Sequence, residues 1–423
     1  MSYDVIVVGA GSSGLMATIQ AARQGAHTLL IEKNKQAGRK LLLTGGGRCN
    51  VTNRATPEKL IQHIPGNGNF LYSALSQFDP SDIIQFFETC GVELKEEDHG
   101  RMFPVTDRSR TILDTLLQQL HDLDVAIRYD APVQRLLIDS NHHIQGVQLK
   151  SGEKIHSAAV ILATGGKTYA ATGSTGDAYG WLKQAGHTIT RLYPTEVPLL
   201  SEDAWIKDRS LTGTPLRDVN VTVWNGQISE NTIVTHRMDM IFTHFGYSGP
   251  AILRCSGHVN QYLHQHPNQT CQLSIDLTPD LTSQELESMA EAQRDKQVIS
   301  ILKQWMPEKV GRVISEQINI APDLPYKQLT HSQVAALWQI IKQFPITAYG
   351  SQPLNKAFVT GGGVATDEIQ PRSMESKLVS GLYFCGELID INGYTGGYNI
   401  TAAFVTGSVA GQHAAWQAMS VTQ

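Results

Sequence analysis

Three stretches of this chain set reactive side chains beside glycines that let another molecule come close. The first is Thr44-Gly45-Gly46-Gly47-Arg48-Cys49-Asn50-Val51-Thr52-Asn53. Three successive glycines carry a large entropic cost inside a strand or helix, so this is a loop. Its Thr44, Arg48 and Asn50 offer donors to anionic oxygens, or to the carbonyls and nitrogens of a ring. A plain flexible linker would be richer in Ser and poorer in Arg and Cys. The second stretch, Phe242 to Pro250, gathers His244 and Ser248 among aromatic residues and two glycines. It reads either as a substrate loop or as a turn with a hydrogen-bonded structural histidine. The third runs from Asp390 through Asn392-Gly393-Tyr394-Thr395-Gly396-Gly397-Tyr398-Asn399.

The elements that position these loops begin at Asp4. An apolar run over residues 5–8 reads as a buried strand and feeds Gly9, Gly11 and Gly14, the G-x-G-x-x-G spacing of a dinucleotide-binding turn. Gly9 permits the tight turn, Gly11 lets backbone approach a pyrophosphate, and Gly14, with Ser13 beside it, lets the next helix pack closely. Residues Ser13 to Gln24 carry a helical apolar stripe at Leu15, Ile19 and Ala22, and Gly25 suits a helix end. A second buried strand, residues 28–31, leads into Glu32, 18 positions past Gly14, where a carboxylate is expected on a ribose.

A second strand-and-glycine signal lies at Ala158 to Gly166, where an apolar run breaks into Ala163-Thr164-Gly165-Gly166. A third lies at Gly381 to Glu387, where a strand ends in Gly386-Glu387 before the Asp390 loop and a helix over 400–418. The helix N-terminus near Gly396, Gly397, Tyr398 and Asn399 would aim backbone N–H groups at a ligand. FAD enzymes of the glutathione reductase type approach their dinucleotide at all three places, whereas a pure NAD dehydrogenase does not need the second. No second G-x-G-x-x-G follows a strand, so a reduced nicotinamide would visit transiently.

Composition narrows the classes. With 423 residues, 41% hydrophobic and 17% charged, the chain is globular and too long for one small core. No apolar run approaches the roughly 18 residues of a membrane span, and the immediate strand leads us to expect no signal peptide. Five scattered cysteines lack a metal-type spacing, so reduced thiols, no metal and a cytoplasmic setting are expected. The net charge of −5 argues against a surface that coats nucleic acid. Between Lys33 and Arg54, however, stand Lys33, Lys35, Arg39, Lys40, Arg48 and Arg54 with no acid. They form a rim for a cofactor phosphate, or one that also meets a polyanion.

Between the glycine regions, residues 57–91 and 107–122 read as helical, and segments at 126–129, 133–138 and 144–149 as a small antiparallel sheet. The expected fold class is α/β, with a discontinuous dinucleotide domain over 1–191 and 346–423. A β-rich insert over 192–278 and a helical unit over 279–345 complete it. Met289, Trp305 and Trp338 in the helical unit read as core.

The set formed by Gly9/Gly11/Gly14, Thr44 to Asn53, Thr243 to Pro250 and Gly386 to Asn399 resembles the BaiN/RdsA-type bacterial flavoproteins, NAD(P)/FAD-dependent oxidoreductases, over nearly the whole chain. The resemblance implies a Rossmann-like FAD-binding domain interrupted by a β-barrel-like domain and a small helical domain. It implies an FAD site drawn from Gly9, Gly11, Ser13, Gly14, Glu32, Lys33, Lys40, Thr44, Gly46, Arg48, Cys49, Asn50, Thr164, Gly165, Gly386, Glu387, Asn392, Gly396, Gly397, Tyr398 and Asn399. It also implies two-electron reduction of an activated alkene with NADPH or NADH as transient reductant. One branch acts on uridine in ribosomal RNA, another on steroid-type acids. Such chemistry needs an acid for the α-carbon and donors for the carbonyl oxygen. Cys49 is one candidate acid, with Arg48 able to lower its pKa or hold a carbonyl; His244 and Tyr394 are others. Cys49 is also readable as a small residue that fits a tight loop. A flavin-bound protein without catalysis is the remaining alternative, and the oligomeric state is left open.

Overall fold

The apolar run after Asp4 forms strand β1 (Tyr3–Val8), whose last four residues are buried. It continues through the glycine turn into helix α1 (Ser12–Arg23), and strand β2 (Thr28–Ile31) follows, buried at every position. Continuous burial is what a parallel strand covered on both faces requires. β1 pairs in parallel with β2 on one side, Val5 opposite Thr28, and with strand Lys154–Leu162 on the other, Val8 opposite Leu162. These coordinates are a computed structural model that describes residues 3–422.

Strand Lys154–Leu162 serves two sheets' worth of partners. Its second half also pairs in parallel with Leu382–Phe384, while its first half pairs antiparallel with Ile144–Leu149, which pairs in turn with Val133–Ile138. The segment at 126–129, expected in that antiparallel group, instead forms Ala126–Arg128 and adds in parallel to the free edge of β2. Three residues are too few to reveal a period, so the open edge decides the partner. The C-terminal helix, expected over 400–418, spans Tyr398–Thr422. It lies hard against α1: methyl groups on Gly407 and Gly411 would stand 2.3 and 2.2 Å from the carbonyl oxygens of Ser13 and Ala17.

The chain divides into two units, Met1–Tyr193 with Val359–Gln423, and Pro194–Phe358. The ranges 192–278 and 279–345, read separately from the sequence, both fall almost wholly in the second. There, Leu286, Leu302, Leu337 and Trp338 of the helices share one apolar core with Val221, Leu273 and Ile346 of the strands. The helices therefore have no core of their own, which is the physical reason they do not separate. Met289, expected in the core, is 40% exposed, whereas Trp338 is buried. The unit's seven-stranded path begins with Phe344–Ala348 and ends with Gly350–Ser351. Only Tyr349 separates those two strands, so the path returns on itself. Among the described residues no helix is long and apolar enough to cross a membrane.

Candidate cofactor and active site

The first unit draws the glycine regions together. Gly9 has φ +107°, and a methyl group on it would lie 2.5 Å from the Ala163 carbonyl oxygen, so the first turn touches the second strand end directly. On Gly14 a methyl would lie 1.8 Å from the Gly9 oxygen, while on Gly11 it would meet nothing within 4 Å. Gly11 thus faces open space at the start of α1, a helix with no side-chain cap and no acid in its first turn. Its free N–H groups are those an anionic diphosphate satisfies. Glu32 is buried and held in place: Oε2 accepts from Ala10 N at 2.9 Å and Oε1 from Asn34 N at 2.8 Å. Asn34 Nδ2 also donates to Oε1, at 2.6 Å, and the three bonds leave a lone pair on Oε2 for a ribose.

The third region arrives at the same place. A methyl on Gly386 would sit 2.4 Å from Ser13 Oγ, and Gly386 N donates to Thr406 Oγ1 at 2.9 Å. A methyl on Gly166 would come 3.2 Å from the Glu387 carboxyl carbon. Glu387 accepts from Lys40 Nζ at 2.5 Å, from Thr360 N at 2.8 Å and from Thr168 Oγ1 at 3.2 Å. Burial works to raise its pKa, but Lys40 and the hydrogen bonds from Thr360 prevail and hold the carboxyl below its ordinary value. Gly165, at φ +71°, would place a methyl 3.1 Å from Ser174 Oγ.

The Thr44–Asn53 loop meets the Asp390–Asn399 loop. Asn53 Nδ2 donates to Gly396 O at 3.0 Å, Thr52 and Thr401 hydroxyls lie 2.8 Å apart, and a methyl on Gly397 would stand 2.8 Å from Thr52 O. Thr44 Oγ1 donates to Leu41 O at 2.7 Å, and Gly46 is left-handed with open space around it. Asn399 ties its own loop, accepting from Gly393 N and donating to Gly393 O. Asn50 Oδ1, Thr164 Oγ1 and Asn392 Nδ2 are buried without a hydrogen-bond partner. An orphaned buried polar atom costs about 1–3 kcal/mol unless something satisfies it. Three of them on three different regions, with the open cradle at Gly11, fit an extended dinucleotide with a polar ring system.

Other expectations are corrected here. Arg48 does not activate Cys49: its guanidinium bonds Glu97 at 2.7 and 3.2 Å, approaches Asp107 at 3.3 Å and stacks over Phe103. Cys49 is wholly buried at φ +61°, and burial pushes its thiol up to about 12 despite a hydrogen bond from Thr44. The basic run is largely neutralised by acids from distant positions. Lys33 pairs with Asp177, Lys40 with Glu387, Arg48 with Glu97 and Arg54 with Glu96, while Arg39 bonds Asn34. His244 belongs to the second unit, exposed in the turn between Thr232–Phe242 and Gly246–Ser248 with its ring edge-on to Phe245.

Tyr394 is buried, and its N–H donates to His63 O at 2.9 Å. His63 stacks on Tyr398 with centroids 4.5 Å apart. No spacing in the sequence points to His63. Asp390 is half-buried, bonded by Thr190 Oγ1 at 3.0 Å, and burial raises its carboxyl above the ordinary value. Its position after Gly386-Glu387 was the available signal.

A family model described as the HI0933-like protein Rossmann domain matches residues 3–413. A 3-dehydro-bile acid delta(4,6)-reductase of Clostridium scindens is 28% identical over 97% of this chain and 98% of its own. A ribosomal RNA dihydrouridine synthase of Escherichia coli is 29% identical over 95% of each chain. Among solved structures, a 3-ketosteroid delta1-dehydrogenase from Sterolibacterium denitrificans superposes with TM-score 0.54 at 13% identity, over 98% of this chain and 99% of that one, a likeness of fold.

Proposed function

The chain belongs to the HI0933-like Rossmann-domain family, and from that premise we propose that it reduces a carbon–carbon double bond with NAD(P)H, its substrate being uridine in ribosomal RNA. It is a flavin-dependent oxidoreductase on a Rossmann-type FAD-binding α/β fold. The observation that carries the reductase reading is the meeting of the Thr44–Asn53 and Asp390–Asn399 loops beside the cofactor regions. The RNA reading is supported by 29% identity over 95% of both chains to the Escherichia coli dihydrouridine synthase.

Bound FAD supplies two-electron chemistry that no side chain here can perform. Gly9, Gly11 and Gly14 with the first turn of α1 hold its diphosphate, and Glu32 its ribose. Thr164, Asn50 and Asn392 bring unpaired polar atoms to the rest. Tyr394 is the favoured source of the proton for the α-carbon, since Cys49 holds its proton tightly and Arg48 is bound to carboxylates. His244 lies in the inserted unit, which we read as the barrel-like substrate domain. A uridine in a duplex must be unstacked before it can reach the site. Deleting the gene and measuring dihydrouridine in ribosomal RNA tests this: a loss of dihydrouridine is expected, and an unchanged content ends the proposal.

A second reading, reduction of a small conjugated carbonyl compound, is favoured by one observation. Four of the six basic residues between 33 and 54 are paired with acids, which weakens the case for a polyanion. NAD(P)H oxidation by the purified protein only when an enone is added would favour it.

A further inference from the structure

The segment His63–Asn67 follows the helix Pro57–Gln62 and has no part in the reading given above. It grips the Asp390–Asn399 loop at four places. Gly66 and Asn392 exchange backbone hydrogen bonds at 3.1 and 3.3 Å, an isolated antiparallel bridge. Asn67, left-handed at φ +57°, donates from Nδ2 to Asp390 O at 2.8 Å. Tyr394 N donates to His63 O at 2.9 Å. The His63 ring lies flat on Tyr398, centroids 4.5 Å apart, and edge-on to Tyr394 at 6.4 Å. The bridge needs a bare residue, since a methyl on Gly66 would stand 2.9 Å from Asn392 N.

The imidazole is itself anchored from both sides. Its Nδ1 lies 2.8 Å from Lys59 O, and a carbonyl only accepts, so Nδ1 carries the hydrogen. Lys59 stands in a helix whose Leu60 and Ile61 are buried in the unit's apolar core, and Tyr398 opens the long helix Tyr398–Thr422. Tyr394, by contrast, stands in a stretch with Gly393, Gly396 and Gly397, which has little stiffness of its own. Ring contacts decide little in the stability of such a chain, but they select among the staggered positions of a tyrosine. We propose that His63 is a positioning residue for the reduction: its ring holds the Tyr394 side chain in the orientation that delivers the proton, while Gly66 and Asn67 fix the backbone beneath it. The assignment rests on Tyr394 as the acid in the reading given above. The alkene gains a hydride, supplied by NAD(P)H through the cofactor, and a proton from the Tyr394 hydroxyl, which water restores. His63 gives no proton to substrate.

The test compares His63→Ala, His63→Phe, Tyr394→Phe and the double variant His63→Ala/Tyr394→Phe, with ribosomal RNA from the deletion strain as substrate, or 2-cyclohexenone if the wild type leaves that RNA unreduced. His63→Ala is expected to lower kcat about ten- to hundredfold, the cost of a misplaced reacting group, with KM little changed. Anaerobic reduction of the bound flavin by NAD(P)H, which delivers no proton to a substrate carbon, should keep its wild-type rate. His63→Phe restores a flat ring and should recover most of kcat. The double variant should be no slower than Tyr394→Phe, because His63 acts through that side chain. An intact kcat in His63→Ala overturns the assignment, as does a His63→Phe as slow as His63→Ala. So does a His63→Ala that melts lower and loses flavin reduction in step with turnover, the mark of a structural role. Full turnover in Tyr394→Phe overturns the acid reading, and a wild type that reduces neither substrate overturns the reductase reading; either takes this assignment with it.

Discussion

At the scale of single residues, the contact that joins most of the site is the pair Lys40–Glu387, made across 347 positions of chain. Its side chains are 30% and 20% exposed, so the pair is shielded more than a surface ion pair and is worth more than the ~0–1 kcal/mol typical there. Replacing Lys40 with Met and Glu387 with Gln, singly and together, should give a coupling energy of ~1–2 kcal/mol in denaturant unfolding. Additive effects would mean the pair contributes no interaction of its own. The pH sign follows from the depressed carboxyl. The folded state binds fewer protons, so this stability is present above the unfolded glutamate value of about 4.3 and is lost as pH falls through the folded one.

At the scale of elements, a second network ties the helix Asp177–Gln184 to the turn before strand Leu382–Phe384. His187 Nδ1 lies 3.1 Å from Glu368 Oε2, and its Nε2 lies 2.9 Å from Ser376 Oγ. The serine oxygen also accepts from Leu378 N and Val379 N. With two N–H groups already on that oxygen, its own hydrogen must go to Nε2, so the network is complete only with a neutral imidazole. Burial, against the pull of Glu368, holds the His187 pKa below its ordinary value. Here the unfolded state takes up the proton first, so stability should begin to fall as pH drops through about 6.5 and level off only below the folded pKa. Thermal melting of wild type and His187→Gln between pH 8 and 5 checks this. The variant should be less stable at pH 8 and lack the wild-type decline, and parallel curves would refute it.

These two networks also mark where sequence reading stops. Gly9, Gly11, Gly14 and Glu32 were legible because each is demanded by a local turn or strand end whose period is visible within about thirty residues. The apolar runs at 5–8, 28–31 and 158–162 were legible for the same reason. Nothing local announces that Lys40 will meet Glu387, that Arg48 will turn to Glu97 rather than to Cys49, or that His187 will find Ser376. Those partners are chosen by the sheet, which lays strands made far apart side by side. The run of basic residues misled in the same way, since its acids come from other parts of the chain.

At the scale of the whole molecule, every residue proposed above to hold the cofactor lies in the unit made of Met1–Tyr193 and Val359–Gln423. That unit has its own apolar core, including Val5, Leu15, Val160, Phe384 and Phe404. Its two segments approach one another where a methyl on Gly361 would lie 2.4 Å from the Tyr193 ring. Joining them by a short Gly-Ser linker in place of Pro194–Phe358 should therefore leave a folded protein that retains FAD binding and lacks turnover. A linked chain that melts without cooperativity, or that takes up no FAD in a fluorescence titration, would contradict this.

The same division has a consequence for synthesis. Strand Lys154–Leu162 and α1 are made early, yet their neighbours Leu382–Phe384 and the helix bearing Gly407 and Gly411 leave the ribosome more than 200 residues later. Until then the sheet keeps an unpaired edge and α1 an uncovered apolar flank, through the time needed to translate the entire inserted unit. At roughly 5–20 residues per second, that delay is on the order of ten seconds or more. An exposed edge and flank of this kind call for shielding over that interval, and with Gly386 and Glu387 in the proposed site, cofactor capture would come only after the polypeptide has closed back on its own beginning.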